Sequence, residues 1–117
     1  MQYLCLIYDA ERAWTDMPEA ARTKMFGEYG AFTQDIKSSG HFRAGEALQP
    51  TSMATTVRVR DGKTTTTDGP FAETREQLGG FYLIEAKDLD EATAIAARIP
   101  SARIGSIEVR PIMNHTP

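Results

Sequence analysis

Two short runs, Gln2 to Tyr8 and Phe81 to Ala86, are apolar on both of the faces that a strand presents. In the first, Tyr3, Cys5 and Ile7 alternate with Leu4, Leu6 and Tyr8, so an extended backbone sends apolar side chains to either side. A strand keeps that pattern only where both faces are covered. The rest of the chain offers cover for one face. Met25, Tyr29, Phe32 and Ile36 recur at helical spacing before Gly40, and Leu89, Ala92, Ile95, Ala96 and Ile99 recur before Pro100. Asp16 with Glu19, and Asp88 with Glu91, read as capping boxes that open these two helices, with Pro18 in the first turn of the earlier one. Gly40 and Pro100 read as their stops. Two helices cover one side of a sheet, so the sequence predicts a homodimer in which a second copy packs sheet against sheet around a two-fold axis.

Between the helices the chain returns as a strand at His41 to Leu48, stopped by Pro50. Thr55 to Arg60 then alternates, with Thr55, Val57 and Val59 on one face and Thr56, Arg58 and Arg60 on the other. Asp61-Gly62 is a strong two-residue hairpin signal, so Lys63 to Thr67 is expected to pair back antiparallel and to bring Asp68 opposite Thr55. Gly105 to Pro111 is the last strand, and Met113 to Pro117 a frayed polar tail. Strand, helix, strand, inserted hairpin, strand, helix, strand is the order of an α+β ferredoxin-like sandwich, with the hairpin between the second and third core strands. The whole of 1–117 reads as one domain.

The hairpin leads into the most densely marked stretch, Asp68-Gly69-Pro70-Phe71-Ala72-Glu73-Thr74-Arg75-Glu76, followed by Gln77-Leu78-Gly79-Gly80. Gly69 before proline is kept from the helical region and is free to take φ > 0. Pro70 fixes its own φ. Asp68 is expected to bond the backbone two residues on as an Asx-turn, and a charged helical turn to carry Glu73, Arg75 and Glu76. Asp9 to Thr15, holding the only tryptophan, Trp14, reads as a loop.

Thirteen basic residues against sixteen acidic give a net charge of −3, which argues against a direct nucleic-acid partner. No apolar run approaches the length of a membrane span, and the N-terminus lacks a basic signal region. The single cysteine, Cys5, excludes an internal disulfide and reads as a small core residue in a cytoplasmic protein.

The run DGPFAETREQLGGFYLIEAKDLDEA resembles the signature of the DGPF-domain proteins, a branch of the YCII-related family. MQYLCLIY, SGHFRAGEALQP, ATTVRVRDG and IPSARIGSIEVRPI extend the resemblance over nearly the whole chain. It implies a dimeric ferredoxin-like α/β-barrel fold, akin in shape to muconolactone isomerases and chloromuconolactone dehalogenases. It also implies a family of mostly unknown activity, some of whose members are associated with extracytoplasmic-function sigma factors. Arg75 stands where the family motif usually has Lys. Smaller YCII-type proteins carry a His on the first helix and an Asp near its end, proposed as a catalytic pair. Residues 18–39 contain no His here, and Ser38 falls about where that Asp would be, so the proposed mechanism does not carry over.

The candidate proton carriers are Asp68, also readable as a turn-stabilising side chain, and His41, the one histidine outside the tail since His115 is set aside, also readable as a structural or exposed side chain. Arg58, beside Arg60, is a candidate clamp for a carboxylate, or part of a solvated hairpin face. Glu73, Arg75 and Glu76 are candidate ligand-binding residues, or a structural salt-bridge network. No motif for a cofactor or metal is present. Two functions fit these residues. One is a small cofactor-free enzyme acting on an organic acid or lactone by acid–base chemistry, with Asp68 and His41 sharing a pocket. The other is a non-catalytic dimer that binds a small molecule or a partner and serves transcription regulation.

Overall fold

The computed structural model describes residues 1–114; His115 lies outside the described residues. Strand β1 spans Gln2–Asp9, and a five-residue helix, α1, follows at Glu11–Thr15. The long helix α2 is Glu19–Ser38, and β2 is Phe42–Ala47. A single 3-10 turn at Thr51–Met53 leads to β3, Thr55–Arg60, and β4, Lys63–Asp68. Strand β5 is Gln77–Glu85, helix α3 is Leu89–Ala96, and a second 3-10 turn, Pro100–Arg103, precedes β6, Ser106–Pro111.

Four strands form one antiparallel sheet in the order β2-β5-β1-β6, and β3 and β4 pair antiparallel as a separate ribbon. The fold is α+β with antiparallel sheets, and its element order is that of a split βαβ sandwich. The two doubly apolar runs are the central strands β1 and β5. Burial alternates along them: Tyr3, Cys5, Ile7 and Asp9 on β1, and Tyr82 and Ile84 on β5, are buried, whereas Leu4, Leu6, Tyr8, Phe81 and Leu83 are half-buried. The buried set meets Phe32 and Ile36 of α2 and Ala92, Ile95 and Ala96 of α3 in one core. Cutting a fully buried isoleucine such as Ile36 or Ile84 to alanine would cost about 2–5 kcal/mol. The molecule is only 19 Å deep along its shortest axis, the thickness of one sheet and one layer of helices.

Helix α2 ends as Gly40 predicts, with the Gly40 N–H bonded to the Lys37 carbonyl and the His41 N–H to that of Ile36. Helix α3 opens on Asp88, whose carboxylate accepts the Glu91 N–H at 2.9 Å; Glu91 in return takes the Lys87 N–H rather than that of Asp88. Three local expectations fail. Asp16 does not cap α2: its N–H closes α1 onto the Arg12 carbonyl, and the N-cap position is Pro18, which makes no side-chain cap. Asp9 to Thr15 is mostly α1 rather than a loop. Residues 69–76 form bends rather than a helical turn, because Thr74 and Gln77 satisfy the local carbonyls of Glu76 and Thr74 with their side chains, and β5 begins at once.

Candidate functional site

Asp9 is the last residue of β1 and continues the buried face of Tyr3, Cys5 and Ile7, which leaves a carboxylate only 5% exposed. A buried carboxylate is costly without partners. One is supplied by α1: Trp14 Nε1 donates to Asp9 Oδ2 across 2.9 Å. Oδ1 has no protein donor among the described residues, and Asp9 lines a cleft of about 990 Å³ between the end of β1, α1, α2 and the chain after β2. Two features shape the backbone at this point. The β1–β5 register slips at Ile7 and Tyr8, leaving Gly79 as an extra residue opposite, the kind of bulge that re-aims side chains beside sites. Gly105 crosses so closely that a Cβ there would collide with the Tyr8 carbonyl oxygen and stand 2.8 Å from the Asp9 Cβ.

The cleft wall is aromatic. Trp14 stacks on Phe26 with centroids 5.5 Å apart and leans towards Tyr29 at 6.4 Å. The Tyr29 hydroxyl donates to Ser101 Oγ at 2.6 Å, and Tyr82 shares a 2.6 Å hydrogen bond with Thr33. All four side chains belong to residues that line the cleft. Burial pushes the pKa of Tyr29 up, against the lowering effect of its Ser101 hydrogen bonds, and the charge of Asp9 and, once it ionises, that of Tyr82 add to the rise. Burial likewise raises that of Tyr82. Both phenols are therefore neutral near neutral pH. Arg22 lines the same cleft, with Nη1 on the carbonyls of Trp14 and Met17.

One edge of the cleft is pinned. Glu11 accepts both the Thr51 N–H at 2.8 Å and the Thr51 hydroxyl at 2.7 Å, while its own N–H donates to Gln77 Oε1 at 2.9 Å. This holds the Thr51–Met53 turn, and with it Pro50 and Ser52 of the lining, against the start of α1.

The residues singled out in the sequence lie elsewhere. Neither Asp68 nor His41 lines the cleft. Asp68 ends β4 opposite Thr55, exposed, and its carboxylate takes no hydrogen bond among the described residues. The Asx-turn does not form because the residue two positions on is Pro70, which has no N–H, while the Gly69 N–H bonds the Ala54 carbonyl at 2.7 Å. His41 bridges two helix ends, with Nδ1 2.7 Å from Ser39 Oγ and Nε2 3.3 Å from Glu91 Oε1. Arg58 and Arg60 sit on the β3–β4 ribbon. Glu73 borders a separate hollow of about 240 Å³ with Thr51, Pro70 and Gln77, Arg75 is exposed, and Glu76 accepts from Ser106 Oγ at 2.9 Å. No ion pair joins Glu73, Arg75 and Glu76 among the described residues, so the motif is not a salt-bridge network.

The cleft residues that no sequence motif marks are Asp9, Tyr29 and Ser101. A signal for Asp9 is present in the sequence: it extends the period-two buried set of β1 by one charged residue. Tyr29 sits in the apolar stripe of α2, and its partner Ser101 is 72 residues away, so no local pattern reveals the pair.

The family model of the YCII-related domain matches residues 1–116. An uncharacterized protein of Rhizobium meliloti (strain 1021) is 36% identical over 119 residues, spanning all of this chain and 96% of that protein. Among solved structures, 5-chloro-2-hydroxyhydroquinone dehydrochlorinase (TftG) from Burkholderia phenoliruptrix AC1100, in complex with 2,5-dihydroxybenzoquinone, superposes with a TM-score of 0.58. That likeness covers 98% of this chain and 96% of that one at 14% identity, and so concerns the fold alone. Among the described residues, no helix is long and apolar enough to cross a membrane.

Proposed function

This chain belongs to the YCII-related domain family, and on that premise we propose that it is a small enzyme moving protons on a planar, oxygenated ring in the cleft beside Asp9. The observation that carries the reading is Asp9, a buried residue lining the aromatic cleft, with one carboxylate oxygen bonded to Trp14 and the other without a protein donor among the described residues. A carboxylate so placed is equipped to take a proton, and the neutral Tyr29 phenol to give one. In the step these groups fit, Asp9 removes an acidic C–H or O–H proton from the ring. The electron pair moves onto a conjugated carbonyl, whose oxygen takes the Tyr29 proton. Ser101 orients the phenol, and the Arg22 guanidinium lining the same cleft favours the negative charge that builds on the carbonyl oxygen before the Tyr29 proton arrives. The proton carriers of this reading are Asp9 and Tyr29 in place of Asp68 and His41, since the former line the cleft and the latter do not. Hydroxylated quinones, hydroxylated arenes and small lactones are the substrate classes. TftG lends support by analogy of fold, through the 2,5-dihydroxybenzoquinone in its complex. We further propose that a second copy covers the half-buried face of Leu4, Leu6, Phe81 and Leu83, in the manner of a dimeric α/β barrel.

The experiment is a thermal-shift screen of these classes, starting with 2,5-dihydroxybenzoquinone, followed by NMR of a stabilising compound in D₂O. The wild type is expected to exchange ring protons for deuterium, and Asp9→Asn to bind and lose the exchange by about a hundredfold. Binding with no exchange by the wild type would leave a ligand-binding module. Exchange by Asp9→Asn at the wild-type rate would remove Asp9 from the chemistry.

A further inference from the structure

Five residues of α2 line the cleft, Arg22, Phe26, Tyr29, Thr33 and Lys37, and their spacing of four, three, four and four sets them in one row along the helix. The row lies beside the buried stripe of Met25, Phe32 and Ile36 and carries a cation at each end. At about 1.5 Å per residue, Lys37 stands about 12 Å along the helix axis from Tyr29, the proton donor of the reading above. The cleft measures about 990 Å³, and pockets of ~300–1,000 Å³ enclose whole drug-sized molecules. A single ring held between Asp9 and Tyr29 leaves the Lys37 end unfilled.

The groups at that end suit an anion. Lys37 Nζ stands 4.9 Å from the centroid of the Phe42 ring, a cation–π contact that takes one side of the ammonium and leaves N–H donors for a ligand. Neither Lys37 nor Arg22 enters an ion pair among the described residues. Glu46 also lines the cleft, but it pairs with Phe81 in the β2–β5 register, on the opposite face of β2 from Gly45, which pairs with Tyr82. A hydroxyl proton is also to spare. Thr33 and Tyr82 share one 2.6 Å hydrogen bond, which uses one of their two O–H groups, and the other has no acceptor among the described residues. Gly45 lets Tyr82 lie this close to β2, since a Cβ there would stand 2.8 Å from the ring. Phe42, Ala47, Leu48 and Tyr82 line the cleft beside the row, so whatever joins the two ends is apolar. We propose that Lys37, with the spare hydroxyl of the Thr33–Tyr82 pair, binds a carboxylate at the end of an apolar arm of the substrate, so that the cleft takes an oxygenated ring bearing an alkanoate chain. The inference rests on the ring reading above and adds what the substrate carries beyond the ring.

Titration calorimetry tests it, with 2,5-dihydroxybenzoquinone and derivatives that carry straight-chain alkanoates of increasing length on one ring carbon, each beside its primary amide. The affinity of the wild type for the acids is expected to rise with chain length until the carboxylate reaches Lys37, and there to exceed that for the matching amide by about tenfold. Added salt should weaken the acid more than the amide. Lys37 is exposed, so Lys37→Met should stay folded by circular dichroism; it keeps an unbranched side chain without the charge and is expected to erase the difference between acid and amide. Lys37→Glu is expected to reverse that difference. An acid and an amide that bind the wild type equally at every chain length overturn the carboxylate subsite and leave the ring reading standing. A preference for the acid that survives Lys37→Met overturns the assignment to Lys37. Failure of the parent quinone and of every derivative to bind overturns the ring reading itself.

Discussion

Trp14 Nε1 and Asp9 Oδ2 are joined by a 2.9 Å hydrogen bond that closes the turn from β1 into α1. The carboxylate it holds belongs to the only acidic residue that the central strand β1 carries into the cleft. Trp14→Phe would keep the stacking on Phe26 and remove the donor, leaving Oδ2 unpaired, at a cost of about 1–3 kcal/mol. Asp9→Asn still offers an acceptor and should cost less. Urea unfolding of the two variants checks the order, and a Trp14→Phe variant as stable as the parent would show that Asp9 does not depend on this bond.

Two glycines separate two kinds of intolerance. Gly69 has φ of 107°, and the space where a Cβ would stand is open to 4 Å, so Gly69→Val would carry backbone strain of about 1–3 kcal/mol and no collision. Pro70→Ala, exposed and without a lost hydrogen bond, should cost under about 1 kcal/mol. Gly105→Ala would push directly into the backbone of Tyr8 and Asp9. It should be the most damaging of the three to thermal stability, and any folded fraction should lose ligand binding as Asp9 moves. Equal melting temperatures for Gly69→Val and Pro70→Ala would refute the strain at Gly69.

The sequence discloses most where a pattern is local and periodic. The alternation of β1 and β5, the Gly40 stop, and the pairing of Asp68 with Thr55 about the Asp61-Gly62 turn all follow from periods and turn chemistry within a few residues. It discloses less where partners are far apart. Tyr29 reads as one more apolar position of α2 until the Pro100–Arg103 turn brings Ser101 to it. Helix α1 is too short to show a period, so Asp16 looks like a cap for the helix after it. Asp68 and His41 attract notice through residue type, but residue type is silent about which side chains share a cavity. Pro70 already rules out the Asx-turn, since it has no N–H to give.

Cys5 makes the alkaline limit of stability predictable. It is fully buried, and desolvation pushes its thiol up from 9.0 to about 11. The unfolded chain therefore releases this proton first. The stability linked to the thiol is intact below pH 9 and declines as the pH rises from 9 towards 11. A two-unit difference corresponds to about 2–3 kcal/mol at the top of that window. Tyr29 and Tyr82, raised in the same direction from 10.0, deepen the fall above that pH. Urea unfolding from neutral to alkaline pH should show Cys5→Ala with a shallower slope than the wild type once the pH passes 9.0. Parallel slopes would show that the thiol is not desolvated.

His41 joins Ser39 at the end of α2 to Glu91 at the start of α3, away from the cleft. His41→Ala should lower the melting temperature by the loss of a half-exposed contact, under about 1 kcal/mol, and leave affinity for a cleft ligand unchanged. A tenfold loss of affinity with unchanged stability would return His41 to the site.

The Glu11 carboxylate fastens the cleft edge by taking both the Thr51 N–H and the Thr51 hydroxyl. The turn it holds has little else to fix it: one internal bond from the Met53 N–H to the Pro50 carbonyl, and one from Ala54 to Thr51. Glu11→Ala removes both acceptors and leaves the Thr51 N–H to water, so amide exchange at Thr51 should accelerate at least about tenfold, with the core strands β1 and β5 unaffected. Glu11→Gln can still accept the N–H with its carbonyl oxygen and donate to the hydroxyl, and should keep most of the protection. The two variants also differ for any ligand beneath the turn. A looser edge lets a bound molecule leave sooner, so Glu11→Ala should raise its dissociation rate more than it lowers its association rate. Unchanged exchange at Thr51 in Glu11→Ala would mean that the turn stays closed without the carboxylate, and that the cleft edge is held by the path of the backbone alone.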